Sequence, residues 1–525
     1  MKLLEYREKA QEFLSKGYAL PQYDREKVKE ETYKAPEWLH FGAGNIFRAY
    51  QASILEDILN KGSYGKGVVV AESFDEELLD RAYRPYDNLT LSVVMHADGS
   101  IEKRVIGAIT ESLKANQAET ADWIRLTEIF RNTSLQMVSF SITEKGYSFN
   151  DADLAAGFDT KLMMGKLTML LFERFKEGMF PLTLQSMDNC SHNGDHVRDG
   201  VFAYADAWVK QGIVNPEFAD YVRDEELVTY PWCMIDKITP RPNDAIVAML
   251  KEDGFEDSDT FETARHTFAA PFVNSEEAGY LVIEDDYADD RPPLDEGGVI
   301  FTDRETVDKV ERMKVGTCLN PLHTALGTFG CMMGFTLVSA EMADDDLRTL
   351  IYKIGYDEGM PVVTDPGIIS PKAFLEEVLT KRFPNKFMPD TPQRLVMDNS
   401  QKIPVRFGGT IQEYIKRGTD LNTLTFIPLV YAAYARFLRG IDDWGEPFEL
   451  SADPLKEELM DIVKDLRVEE GEQDFGCLRK LFTRADIFGA DLYAAGLGEK
   501  LEGMVKELYA GPGAVRRTLH KYVTM

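Results

Sequence analysis

The chain has 525 residues, which at about 150 residues per domain allows two to four domains, and two is the expected number. Hydrophobic residues at 44% and charged residues at 28% are ordinary globular proportions and exclude disordered, fibrous and low-complexity classes. A formal net charge of −30 repels phosphate backbones and anionic headgroups, so neither nucleic acid nor a membrane is an expected partner.

Taken in chain order, the start MKLLEYREKAQEFLSKGYAL carries charges every few residues and lacks the apolar core of a signal peptide, so a cytoplasmic location is expected. After a charged connector, Trp38 to Phe41 is a short apolar run that breaks at Gly42-Ala43-Gly44 and gives way to helical spacing in NIFRAYQASILEDILNKG. This predicts a strand, a glycine turn and a helix. GVVVAES is a second strand, and LTLSVVM through Asp98-Gly99 to RVIGAIT predicts a hairpin. Helix ETADWIRLTEIFR then precedes strand LQMVSFSIT, and helix KLMMGKLTMLLFERFKEG precedes strand LTLQSMD. Such alternation predicts an α/β fold with a mostly parallel sheet and helices on both faces. Beyond strand YLVIEDDY and the turn-rich DDRPPLDEGG the spacing becomes helical, which predicts a first domain over 1–297 and a helical second domain over 298–525. The uncharged run 324–340 falls short of the ~18 strongly apolar residues of a membrane span and is expected to be a buried helix with small-residue contacts. Five cysteines without a C-x-x-C pair are expected to be reduced thiols.

Gly42-x-Gly44 between a strand and a helix suits a dinucleotide pyrophosphate, because backbone N–H groups and the helix dipole meet the anion there. The third glycine of the usual fingerprint is replaced by Phe47, so a plain tight turn is an equal reading. Glu72, or else Asp75, is the candidate acid for the adenosine ribose. His192 and His196 stand four apart without a third ligand at zinc-site spacing, and no metal is expected. Asn189, at the carboxyl end of a parallel strand, is placed to donate to a substrate oxygen. In ERMKVGTCLNPLHTALG, Asn320-Pro321 reads as the cap and first residue of a new helix. Lys314 and His323, nine apart, would face opposite ways on one uninterrupted helix, so they converge only if the chain bends at that asparagine-proline pair. A lysine desolvated beside a nicotinamide can act as a general base near neutral pH.

HFGAGNIFRA, ITEKGY, SMDN with HNG, MIDKITPR, LVIEDDY, K-x5-N-x2-H and RLVMDNSQKIP follow one another in the order found in the polyol-specific long-chain dehydrogenases, the mannitol dehydrogenase family, which the sequence resembles from about Leu39 to Pro404. The resemblance implies a Rossmann-type NAD-binding domain, a mostly helical C-terminal domain and a cleft between them without a metal. It implies Lys314 as catalytic base, Asn189 and Asn320 as holders of the reacting oxygen, Glu311 as a gate for proton exit, and His323, Asp236, Arg394 and Lys402 as substrate contacts. Gly42, Gly44, Asn45, Phe47, Arg48 and Glu72 are the implied cofactor positions.

The expected activity is NAD-dependent interconversion of a secondary alcohol and a ketone on a small open-chain sugar acid or polyol, with no obligate protein partner. D-Mannonate and D-fructuronate are favoured over mannitol and fructose or tagaturonate by the look of TCLNPLHTALG, and Lys237 and Arg241 are candidate cations near the cleft. A Rossmann-type binding protein without catalysis is the alternative of another class. Three departures stand out: Asn320 follows Lys314 by six positions rather than five, Ile235-Asp236-Lys237 stands for the family's Val-Asp-Arg, and Leu281 stands where the family has a tryptophan.

Overall fold

Six short runs pair side by side as parallel strands in the computed structural model, which describes residues 1–525: β1 (Trp38–Phe41), β2 (Val68–Glu72), β3 (Ile109–Lys114), β4 (Met137–Phe140), β5 (Leu182–Ser186) and β6 (Val228–Thr229). Their order across the sheet is β3-β2-β1-β4-β5-β6. This is the doubly wound dinucleotide-binding order, in which the direction of winding reverses between β1 and β4 and opens a crevice at their carboxyl ends.

Both faces of the sheet are covered, so the strands read as nearly continuous apolar runs. Leu39, Phe41, Val69, Ala71, Val138 and Phe140 enter one core with residues from helices Thr120–Arg131, Met163–Gly178 and Asn193–Lys210. Their neighbours Trp38, Val68, Val70 and Met137 point the other way, against Ile54, Leu55, Ile58 and Leu59 of helix Ala52–Lys61.

The chain divides into two compact units, Met1–Asp308 and Lys309–Met525. The expected division after residue 297 falls short of strand Ile300–Thr302, which pairs with Tyr280–Glu284 and so stays with the first unit. That unit also holds sheets the sequence did not announce. Thr90–Met95 and Ile101–Ile106 form the expected hairpin, but Thr90–Met95 also pairs with Phe272–Glu276, about 180 residues away. RVIGAIT is not one strand. It passes from the hairpin sheet to β3 at Gly107, where a Cβ would lie 3.0 Å from the side chains of Arg25 and Tyr23.

The second unit is helical. Helices Asn320–Met332 and Phe426–Phe437 are buried nearly all round and pack on each other at its centre. The uncharged run is less regular than expected: its helix ends at Met332, Gly334 turns with φ 72°, and Val338–Glu341 starts afresh. No helix is long and apolar enough to cross a membrane.

Candidate active site

At the carboxyl end of β1, Gly42 takes φ 111°, and a Cβ there would lie 2.3 Å from the Ser141 carbonyl oxygen, so only glycine lets β1 leave the sheet this close to β4. A Cβ at Gly44 would meet nothing within 4 Å, and the chain turns helical at Asn45. The turn is therefore both tight and open on its outer side.

Glu72 holds that turn. Its Oε2 accepts the Ala43 N–H at 2.7 Å, while Oε1 accepts those of Ser73, Phe74 and Asp75 at 2.9, 2.7 and 3.2 Å. The acid expected at the cofactor ribose thus also ties the β1 turn to the β2 turn. Asp75, the other candidate, accepts from the Thr263 hydroxyl at 2.6 Å.

Of the expected cofactor positions, Phe47 and Arg48 have buried side chains, both 0% exposed. Phe47 stacks on His40 with ring centroids 4.2 Å apart. Arg48 donates to the Ala270 carbonyl at 2.7 Å and to Asn45 Oδ1 at 2.8 Å. Both side chains brace the turn from below, and Asn45 is part of that brace. His40 lies between the Ser139 and Ser141 hydroxyls, 2.7 Å from each, and burial pushes its pKa down to about 3, so it is neutral.

At the end of β5, Asp188 binds the ITEKGY loop: its carboxylate accepts the N–H groups of Ile142 and Thr143 at 2.8 and 3.0 Å and the Tyr147 hydroxyl at 2.6 Å. Burial pushes this carboxyl up. Asn189 follows immediately and is exposed. The two histidines after it are committed to different partners, His192 stacking on Trp232 and His196 on Tyr147. Asp236 ends strand Cys233–Asp236 and is 4% exposed. The extra cations expected beside it are occupied: Lys237 donates to the Glu276 and Glu277 carbonyls, and Arg241 lies over the Phe268 ring.

In the second unit, Lys314 is 3% exposed and opens a π turn, Lys314–Cys318, closed by the Leu319 N–H donating to the Lys314 carbonyl at 3.1 Å. Glu311 lies one turn earlier and is half-buried. The bend expected at Asn320-Pro321 falls one residue earlier, at Leu319, with φ −130° and ψ −63°. Helix Asn320–Met332 then starts, carrying Asn320 and His323 in its first turn. The His323 ring stacks on Phe383 at 4.6 Å. Burial above all, with Arg406, Arg394 and Arg382 adding to it against Asp390, pushes His323 down to about 3.

Three segments gather around this helix. Pro392–Leu395 packs on it through Gly327, where a Cβ would lie 2.8 Å from Val396 and 3.0 Å from Leu395, and it carries Arg394, whose Nε donates to Asp390 at 2.6 Å. Asn399–Ile403 carries Lys402, and the following turn Pro404–Gly408 packs on both the Lys314 turn and the helix and carries Arg406. The expected residues of this unit, Glu311, Lys314, Asn320, His323, Arg394 and Lys402, therefore lie around one helix start.

The sequence profile of the mannitol dehydrogenase Rossmann domain matches residues 36–295, and that of the mannitol dehydrogenase C-terminal domain matches residues 306–508. The chain belongs to the mannitol dehydrogenase family. Among its relatives, D-mannonate oxidoreductase of Thermotoga maritima is 45% identical over 97% of this chain and 96% of its own length. Mannitol 2-dehydrogenase of Phaeosphaeria nodorum is 31% identical over 84% of this chain and 74% of its own. The structure of Pseudomonas fluorescens mannitol 2-dehydrogenase in ternary complex with NAD and D-mannitol aligns over 100% of both chains with a TM-score of 0.71 at 25% identity. A substrate-free D-sorbitol dehydrogenase shares the fold, with a TM-score of 0.76 at 24% identity over 95% of this chain and 97% of its own.

As a mannitol dehydrogenase family member the chain carries two features that motif reading missed. One is the four-amide grip of Glu72, which depends on backbone geometry. The other is Arg406, four residues beyond Lys402 and 9% exposed, whose only hydrogen bond runs from Nη1 to Thr324 Oγ1 at 2.8 Å. The spacing of Lys402 and Arg406 on one helical stretch was the available signal.

Proposed function

We propose that the protein is an NAD-dependent oxidoreductase interconverting D-mannonate and D-fructuronate. The observation that carries this reading is 45% identity to a D-mannonate oxidoreductase over nearly the full length of both chains, against 31% and less for the mannitol 2-dehydrogenases.

The residues present fit the cofactor: the open backbone at Gly44 and the helix starting at Asn45 leave N–H groups for a pyrophosphate, and Gly42 supplies the tight approach. The chemistry that bound NAD would supply at this turn is that of hydride acceptor or donor to the alcohol carbon. Lys314 accepts the hydroxyl proton on oxidation and returns it on reduction, and Asn189 and Asn320 donate hydrogen bonds to that oxygen. Glu311, one turn from Lys314, relays the proton outward. His323, neutral by burial, binds substrate by hydrogen bonding, and Asp236, Arg394 and Lys402 hold the sugar chain. The Glu72 carboxylate disfavours a 2′-phosphate, so kcat/KM is higher for NADH than for NADPH.

The test is NADH oxidation with D-fructuronate, D-tagaturonate and D-fructose side by side. A site built for a carboxylate rejects the neutral ketose by orders of magnitude. Comparable or better kcat/KM on fructose would replace this reading with mannitol 2-dehydrogenation. Lys314→Ala lowers kcat by about 10²–10⁴-fold on the best substrate, and a smaller loss removes the general-base assignment.

A further inference from the structure

Two cations of the second unit lack a counter-ion. Arg406 is nine-tenths buried, and its single hydrogen bond goes to a neutral hydroxyl, that of Thr324. Lys402, one helical turn earlier and half-buried, makes no hydrogen bond through its ammonium group. Burial, and then the charge of Arg394, pull Arg406 down to about 10, and burial followed by Arg406 pulls Lys402 down as well.

The nearby carboxylates are engaged elsewhere. Asp390 is held by the Arg394 fork through both oxygens. Asp453 accepts from the N–H and hydroxyl of Ser400 and from the Leu455 N–H. Asp398 favours the charged form of Lys402 but forms no ion pair with it. Glu341 is buried without a hydrogen bond, and burial raises it to about 8, so it is protonated at neutral pH.

A guanidinium largely shielded from water and with no anion beside it is destabilising, and a second positive charge one turn away adds to the cost. Such a group is stabilised by an anion arriving from outside the chain, and the planar fork of an arginine matches a carboxylate with two parallel hydrogen bonds. The place is specific. Thr324, which positions the guanidinium, directly follows His323 on the helix whose first turn carries the expected substrate contacts.

We propose that Arg406, assisted by Lys402, is the anchor for the substrate carboxylate and the residue that separates hexuronates from neutral ketoses. The proposal rests on the hexuronate reading above. It gives that reading a physical basis that Arg394 does not, since Arg394 already has a carboxylate partner and its side chain is 63% exposed.

The experiment compares wild type, Arg406→Met and Arg406→Lys for kcat/KM on D-fructuronate and on D-fructose, with the NADH Kd read by nucleotide fluorescence. The ratio of the two substrates within one variant cancels any loss of folded enzyme. Arg406→Met is expected to lower the fructuronate-to-fructose ratio at least about 100-fold while leaving the NADH Kd within about twofold. Arg406→Lys, which keeps the charge and loses the fork, should lower the ratio about tenfold, and it carries the test alone if the methionine variant does not accumulate. A ratio unchanged within about threefold in these variants, including an equal loss on both substrates, overturns the anchor. A wild type that prefers fructose overturns the hexuronate reading itself and the anchor with it.

Discussion

Glu72→Gln perturbs one carboxylate that holds two loops. The glutamate offers two acceptor oxygens, and four backbone N–H groups converge on them, three on Oε1 and that of Ala43 on Oε2. Glutamine has a single acceptor oxygen. With that oxygen in the Oε1 position the amides of residues 73–75 keep their partner, now neutral, but the Ala43 N–H faces an NH2 group. The opposite flip keeps Ala43 and abandons the other three. At 7% exposure water cannot replace the lost acceptor, so at least one buried N–H goes unsatisfied, at a cost of about 1–3 kcal/mol. Exchanging a charged acceptor for a neutral one on the remaining bonds adds about 1 kcal/mol. A total of about 2–4 kcal/mol is expected.

The assay is urea unfolding combined with amide hydrogen exchange read by mass spectrometry, which follows the two units separately. Peptides covering 42–46 and 72–76 should exchange faster and the unfolding midpoint of the first unit should fall, while peptides beyond residue 309 stay unchanged. The KM for NADH should rise as well, because the Gly42–Gly44 turn loses its tether. A variant within about 0.5 kcal/mol of wild type, with unaltered exchange at Ala43, would refute the account of Glu72 as a clamp.

Gly42→Ala should strongly destabilise the first unit, since its Cβ meets the Ser141 carbonyl at 2.3 Å and φ is 111°, whereas Gly44→Ala, with nothing within 4 Å, should melt like wild type and raise the KM for NADH several-fold; thermal melts beside NADH titrations separate the two. Burial raises Glu56 from 4.5 to about 7 and Glu341 from 4.5 to about 8, so the folded chain holds protons that the unfolded chain releases. Their stabilising contributions are whole below about pH 4.5 and are lost as the pH rises through 7 and 8, on the order of 3 kcal/mol for Glu56 and on the order of 5 kcal/mol for Glu341. Urea midpoints taken across this range should decline, Glu56→Gln should flatten the decline for the first unit and Glu341→Gln for the second, and a flat wild-type profile would contradict both.

How far the sequence was legible follows from how local each determinant is. The parallel sheet and its glycine turn were readable because strand period, turn residues and helix spacing are written within about ten consecutive positions. The pairing of Thr90–Met95 with Phe272–Glu276 was not, since nothing local marks two strands 180 residues apart as neighbours. Phe47 and Arg48 were placed at the cofactor because they share a motif with Gly42 and Gly44, yet helical geometry turns their side chains beneath the turn while its backbone faces outward. Arg406 was passed over for a related reason: a missing counter-ion is a property of burial in three dimensions.

The stretch from Lys314 to Asn320 shows how a departure in spacing resolves into structure. The sequence attributes the bend to Asn320-Pro321, but a proline in the first turn of a helix lacks only an N–H that would go unpaired anyway, so it permits a helix start without forcing one. The break lies instead at Leu319, immediately after the π turn Lys314–Cys318. A π turn accommodates one residue more than an α turn, closing N–H to carbonyl over five positions rather than four, as the Leu319–Lys314 bond does at 3.1 Å. The extra position in the six-residue step from Lys314 to Asn320 is thus taken up locally, so the insertion need not push Lys314 a further 100° around the helix. The same π turn packs on Pro404–Gly408, the segment that carries Arg406, so the stretch that departs from the family spacing lies against the segment of the proposed carboxylate anchor.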